Sequence, residues 1–147
     1  MNIKYLFLDF DGVFIIDGTP EKSRVEKINS IIKQCNPKIY LITMWQAYNP
    51  ESVSKMYKVL KRQFGLEKDD VNRCPSQVLE KEPDGWIYME LEKRLSYKKR
   101  EAIMFFCERD SINLGEALIL DDFNLEIKEQ IFLCDPGGKW LTKVNCR

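Results

Sequence analysis

Histidine is absent from all 147 residues. That absence removes Ser-His-Asp triads, Cys-His dyads, phosphohistidine chemistry and the usual histidine metal sites. Any chemistry has to run on carboxylates, amines, hydroxyls and a metal. The five cysteines (35, 74, 107, 134 and 146) are odd in number and include no Cys-x-x-Cys pair. This speaks against a disulfide frame or a zinc site and predicts reduced thiols in a cytoplasmic protein. A cysteine-phosphatase loop would need an arginine six positions after its cysteine; those positions hold Leu41, Glu80, Asn113 and Trp140, and the sequence stops after Cys146. Excess charge of one sign is also lacking. Lys+Arg and Asp+Glu both total 23, so no whole-molecule field draws in nucleic acid, although local patches still could. No apolar stretch approaches a bilayer span, and the first apolar run is broken by Asp9 and Asp11, which is not a signal-peptide pattern. Internal repeats and low-complexity segments are missing as well.

What is present is ordinary globular material: 44% hydrophobic and 31% charged residues, enough for one domain over 1–147 with a sizeable core. Ile3 to Leu8 reads as a buried strand. Phe14-Ile15-Ile16 meets Asp17-Gly18, a turn dipeptide suited to a small hairpin flap. Thr19-Pro20-Glu21 looks like the opening of a helix whose inner face carries Val25, Ile28, Ile31, Ile32 and Cys35, stopped at Asn36-Pro37. Ile39 to Ile42 is a second buried strand ending at Thr43. Asn49-Pro50-Glu51 repeats the opening signal before Val53, Met56, Tyr57, Leu60 and Phe64, with Gly65 as the stop.

Residues 66–97 are less legible. They hold a short strand at Asp70 to Cys74, and they are long enough for a short lid or insert but not for a full second domain. Lys98 to Cys107 predicts a helix with Ile103, Phe106 and Cys107 inward. Ala117 to Leu120 is a strand ending in Asp121-Asp122, and Gln130 to Leu133 a further one. Strands alternating with helices imply an α/β fold with a mostly parallel sheet covered on both faces. Ligands bind such folds outside the carboxyl ends of the strands.

The polar residues fall at those ends. Asp9 and Asp11 follow the first strand, and a bend at Gly12 lets both turn toward one pocket. Thr43 follows the second strand, and Asp121-Asp122 a later one. Two nearby carboxylates hold a hard divalent cation, and each can take separate covalent or proton-transfer work. Each feature has a plainer explanation: an Asx turn for Asp9 or Asp11, a strand-end hydroxyl for Thr43, a cap for Asp121-Asp122, a solvated helix start for Lys98-Lys99-Arg100. The pattern is not an EF-hand loop, which needs a further oxygen ligand before the glycine and a glutamate at its last position.

Together, Phe7-Leu8-Asp9-Phe10-Asp11-Gly12-Val13, Ile39-Tyr40-Leu41-Ile42-Thr43, a lysine on the helix before the later strand, and Ala117-Leu118-Ile119-Leu120-Asp121-Asp122 resemble the four signatures of the haloacid dehalogenase-like (HAD) phosphohydrolase superfamily. The resemblance spans essentially the whole chain. It looks closest to small, capless members of phage and RNA-repair systems, with Trp45 after the second strand and Asp135-Pro136 and Trp140-Leu141-Thr142 near the end.

The resemblance implies a Rossmann-like three-layer sandwich without a large cap and a Mg²⁺-dependent phosphatase of phosphomonoesters. Asp9 would be the nucleophile that forms an aspartyl-phosphate, and Asp11 the general acid and base. Phosphate would be held by Thr43, Lys99, Phe10 and Asp11, and Mg²⁺ by Asp9, the backbone carbonyl of Asp11, and Asp121 with or without Asp122. Lys98 competes with Lys99; Lys99 is preferred because Ile103 then shares its helical face, at a helix opening whose N–H groups also favour anions. A phosphorelay receiver uses similar residues in the reverse order, which disfavours that reading.

With no large cap, the phosphorylated substrate expected is a small molecule, a nucleotide or a nucleic-acid 3′-phosphate end. Lys93, Arg94, Lys98, Lys99 and Arg100, with Trp45 and Trp86 for stacking, suit the last of these. Equally, these cations could be a solvated face and the tryptophans core. The rival class is a non-catalytic phosphate- or Mg²⁺-binding module with a regulatory or assembly role.

Overall fold

Along the first strand, β1 (Tyr5–Leu8), side chains alternate between two apolar layers. Leu6 and Leu8 enter one core cluster and Phe7 the other. The computed structural model describes residues 3–123, 125–127 and 132–133. Asp135-Pro136-Gly137-Gly138, Trp140-Leu141-Thr142, Cys134 and Cys146 lie outside the described residues, as does the start of the strand expected from Gln130.

After β1 the chain forms a hairpin of β2 (Ile15–Ile16) and β3 (Thr19–Pro20). Asp17 and Gly18 at its tip both have positive φ, 51° and 79°, as a type I′ turn demands. The expected flap is therefore present. It takes Thr19 and Pro20, however, so helix α1 (Lys22–Cys35) starts later than the proline signal suggested. Glu21 is the actual N-cap, its carboxylate accepting from the Ser23 and Arg24 main-chain N–H groups. A cross-strand partner for Pro20 outweighed its preference for a helical first turn.

β4 (Lys38–Leu41) pairs with β1, and a four-residue helix, α2 (Trp45–Tyr48), follows it. Helix α3 (Pro50–Phe64) opens with the Asn49–Ser52 capping box and closes on Gly65 at φ 67°, as its sequence signals required. The stretch 66–97 then supplies β5 (Val71–Asn72), α4 (Ser76–Glu80) and a 3-10 turn at Trp86–Tyr88. Helix α5 (Leu91–Asp110) begins a full two turns before the expected Lys98. β6 (Ala117–Asp121) and the two-residue β7 (Phe132–Leu133) complete the described elements.

Four strands in the order β5-β4-β1-β6 pair in parallel throughout, with β7 added beyond β6. Helices α1 and α3 cover one face through Val25, Ile28, Ile31, Met56 and Leu60. The other face is covered by α4 and α5 through Leu79, Ala102, Ile103 and Phe106. The protein is thus an α/β, Rossmann-like sandwich. The chain runs outward from β1 through β4 to β5, then returns to the opposite side of β1 as β6. That reversal opens a crevice above the carboxyl ends of β1 and β6. Among the described residues, no helix is long and apolar enough to cross a membrane. Cys74 and Cys107 form no disulfide, but Cys35 is disulfide-bonded, which corrects the expectation that every cysteine is reduced.

Candidate functional site: a buried carboxylate–ammonium cluster

Asp9 stands one residue past β1 and Asp121 closes β6, so the parallel pairing of those strands brings the two acids side by side. Both are buried, and so is Lys99, which reaches them from α5. Lys99 Nζ lies 2.9 Å from Asp9 Oδ2 and 3.0 Å from Asp121 Oδ2, and donates to Asp121 Oδ1 at 3.2 Å. The Phe123 ring, its centroid 4.4 Å from Nζ, closes another side of the ammonium. Asp121 Oδ1 also accepts the Phe123 main-chain N–H at 2.8 Å. Asp121 Oδ2 has the nearby positive charge but no hydrogen bond of acceptable geometry, and it is fully buried.

One oxygen each from Asp9, Asp121 and Asp122 lies within 4.8 Å of the others. Asp122 is held close by an absent side chain. A β-carbon on Gly12 (φ 79°) would stand 2.1 Å from Asp122 Oδ2 and 2.8 Å from its Cβ, so only glycine lets the Asp11-Gly12 turn approach that carboxylate.

Three carboxylates against one ammonium leave the buried cluster net negative. Burial pushes the Asp9 carboxyl up, Lys99 opposes this, and it stays above its ordinary range. Asp121 is pushed up further by its burial and by the Asp9 charge. Burial works against the charge on Lys99, but Asp9 and Asp121 outweigh it and hold the ammonium above its usual range. Crowded, desolvated carboxyls, an all-oxygen donor set and a buried oxygen lacking a hydrogen bond fit a hard divalent cation such as Mg²⁺ better than a soft metal. Asp9, Asp121 and Asp122 are the residues that could hold it.

Asp11 belongs to the rim of this site. Its exposed carboxylate is not among the three converging acids; Oδ2 instead accepts the Trp45 indole N–H at 2.8 Å. Trp45 is itself fixed on several sides. Its ring meets Phe10 edge-on at 5.2 Å, its main-chain N–H donates to Thr43 Oγ1 at 3.2 Å, and its carbonyl accepts from Ser52 Oγ at 2.7 Å. Arg24, buried on α1, donates to the Gly12 and Val13 carbonyls at 2.7 and 3.1 Å, anchoring the same loop from below.

Over the cluster lies a cavity of about 80 Å³ lined by Asp9, Asp11, Met44, Tyr48, Leu95, Lys99, Asp122 and Phe123. Thr43, fully buried at the end of β4, is not one of its walls; its hydroxyl receives the turn that starts α2. The Phe10 side chain is buried against Phe14 and Trp45, so only its main chain faces the site, where its N–H favours the charged form of Asp9.

The lysine alternatives separate by geometry. Lys98 points away, donating to the Leu79 carbonyl at 2.8 Å and pairing with Glu82 at 3.0 Å. Because α5 starts at Leu91, Lys99 sits inside the helix and not at its opening, so the expectation that helix N–H groups assist it does not hold. The cations considered for a nucleic-acid end are largely engaged elsewhere. Arg94 pairs with Glu82 and stacks on Trp86, and Arg100 donates to the Leu125 carbonyl. Sequence reasoning missed the walls Met44, Tyr48, Leu95 and Phe123; Leu95, one helical turn before Lys99, had a spacing that could have revealed it. Comparison of the chain with family models, with curated proteins and with solved structures finds no match.

Proposed function

We propose that the chain is a Mg²⁺-dependent phosphatase of the HAD type, hydrolysing phosphomonoesters through an aspartyl-phosphate on Asp9. The observation that carries this reading is the convergence of Asp9, Lys99 and Asp121 from β1, α5 and β6 at the crevice where the strand order reverses. Asp11, on the cavity wall, is the remaining group the chemistry needs. The reading is supported by the order and spacing of these residues and by a cavity able to take a phosphoryl group.

Asp9 attacks phosphorus, forming an acyl-phosphate bond as the ester oxygen departs with the proton of Asp11. In the second half, Asp11 takes a proton from water, whose oxygen attacks phosphorus, breaking the acyl-phosphate bond. Inorganic phosphate leaves and the Asp9 carboxylate is restored. Splitting one displacement into two is the gain of covalent catalysis, and proton transfer at Asp11 contributes typically about 10²–10⁴-fold. Lys99 fixes Asp9 through Oδ2, leaving the other oxygen for attack, and it neutralises charge on the transferring group. Trp45 holds Asp11 through Oδ2, leaving Oδ1 to carry the exchanged proton. A bound Mg²⁺ would supply Lewis-acid charge neutralisation between two anions.

The test is Mg²⁺-dependent release of p-nitrophenol from p-nitrophenyl phosphate, abolished in Asp9→Asn with an unchanged melting profile. A folded wild type that turns over neither this ester, nor nucleotides, nor 3′-phosphorylated oligonucleotides would overturn the reading in favour of a binding module.

A further inference from the structure

The cavity above Asp9 is far smaller than the roughly 300–1,000 Å³ of sites that enclose a whole small molecule. It accommodates a phosphoryl group and little else, so the remainder of any substrate must lie against the rim. Apart from the carboxylates of Asp11 and Asp122, the walls toward that rim are apolar and aromatic: Met44, Tyr48, Leu95 and Phe123. Tyr48 is 60% exposed at the end of α2, although its phenol is pushed up by partial burial and by the charges of Asp11 and Asp9. Opposite it, α5 presents Leu91, Leu95 and Lys99 at successive four-residue steps along one face. Lys99 is in the cluster, Leu95 is a cavity wall, and Leu91 is 64% exposed further out. Among the described residues, Lys99 is the only cation lining the cavity. Lys98, Arg94 and Arg100, its neighbours on α5, are tied to Leu79, Glu82 and Leu125.

Resting on the phosphatase reading, we propose that Tyr48, Leu95 and Leu91 form a shelf that receives an aromatic leaving group, so that the substrates are small phosphomonoesters carrying an aromatic ring next to the phosphate. A ring stacks on the exposed phenol and covers the leucines, whereas a polyanionic strand meets, among the described residues that line the cavity, no cation besides Lys99. Tyr48 and the two leucines are specificity residues in this assignment.

Leaving-group chemistry must be held constant, so the comparison is 2-phenylethyl phosphate against ethyl phosphate, both esters of primary alcohols. Wild type is expected to favour the aromatic ester at least tenfold in kcat/KM, chiefly through KM. Tyr48→Ala and Leu91→Ser should each cut that ratio several-fold, and Tyr48→Phe should keep it. Both exposed positions can be changed without opening the core, which a thermal melt checks. Calorimetric titration with benzylphosphonate and methylphosphonate in Mg²⁺ reads the same preference without turnover. Tighter binding of benzylphosphonate, lost in Tyr48→Ala, with no ester hydrolysed would sink the phosphatase reading and keep the shelf. Turnover with a ratio near one, a ratio indifferent to Tyr48→Ala, or a 3′-phosphorylated oligonucleotide preferred over 2-phenylethyl phosphate would overturn the shelf.

Discussion

Gly12→Ala isolates how the acidic loop is seated. Gly12 and Gly65 both occupy left-handed backbone, at φ 79° and 67°. Around Gly65 a new β-carbon would meet nothing within 4 Å, while at Gly12 it would meet Asp122 at 2.1 Å. Gly65→Ala therefore measures backbone strain alone, about 1–2 kcal/mol. Gly12→Ala adds an overpacking cost of about 1–3 kcal/mol, because the 2.8 Å approach to Asp122 Cβ cannot be relieved by rotating the carboxylate.

At roughly 2–4 °C per kcal/mol for a chain near this size, Gly65→Ala should lower Tm by about 2–8 °C and Gly12→Ala by about 4–20 °C, with Gly12→Ala the lower of the two. The decisive readout is the response to metal. Saturating wild type at a hundred times Kd adds about 2.7 kcal/mol. Gly65→Ala keeps that rise, and Gly12→Ala, with Asp122 displaced, loses most of it. Scanning calorimetry in EDTA and in MgCl2 measures both quantities. Equal Tm losses together with equal Mg²⁺ responses in the two variants would refute the reasoning.

Three further outcomes follow from the same cluster. Lys99→Met strands two buried carboxylates and should cost about 3–5 kcal/mol in EDTA, part of it recovered by Mg²⁺; urea unfolding in both buffers tests this, and a loss unaffected by metal would count against cation binding. Asp9 and Asp121 have folded pKa values raised, to about 6 and about 8, so each contributes stability that is full below its unfolded value and lost as pH rises through the folded one. Metal-free protein should accordingly lose Tm between about pH 4 and pH 8, and Mg²⁺ should flatten the slope; parallel pH profiles with and without Mg²⁺ would contradict it. Trp45→Phe removes the indole donor to Asp11 while keeping a ring against Phe10, so kcat/KM, which reads only the first half-reaction, should fall about tenfold or more on alkyl phosphates, whose leaving oxygen needs a proton, and much less on p-nitrophenyl phosphate. Equal losses on both esters would argue that Trp45 is merely structural.

The strands and the acids were legible because each depends on local pattern. Short apolar runs ended in Asp9, Thr43 and Asp121, and the parallel sheet followed from their alternation with helices. Helix α3 was equally plain, since Asn49, Pro50 and Gly65 punctuate it within one continuous segment. The boundaries of α1 and α5 were not. Pro20 was diverted into a hairpin by its pairing with Ile15. The first turns of α5 are rich in charge, and their apolar members Leu91 and Leu95 face the rim, so they lack the core periodicity that marks a buried helix. The separation of Lys98 from Lys99 rests on Glu82 and Leu79, whose proximity no spacing announces. Tyr48 escaped notice because α2 is a single turn, too short to show any period.

β6 lies beside β1 in the interior of the sheet although most of the chain separates them, and that pairing sets Asp9 beside Asp121, where Lys99 bridges the two. Synthesis delivers Asp9 early and Asp121 more than a hundred residues later. A product ending before Ala117 would carry Asp9 and Lys99 without Asp121 and Asp122, two of the three carboxylates that converge there. On the proposed phosphatase reading, purified fragments ending short of β6 should be inert, and hydrolysis by such a fragment would disprove the dependence on that pairing.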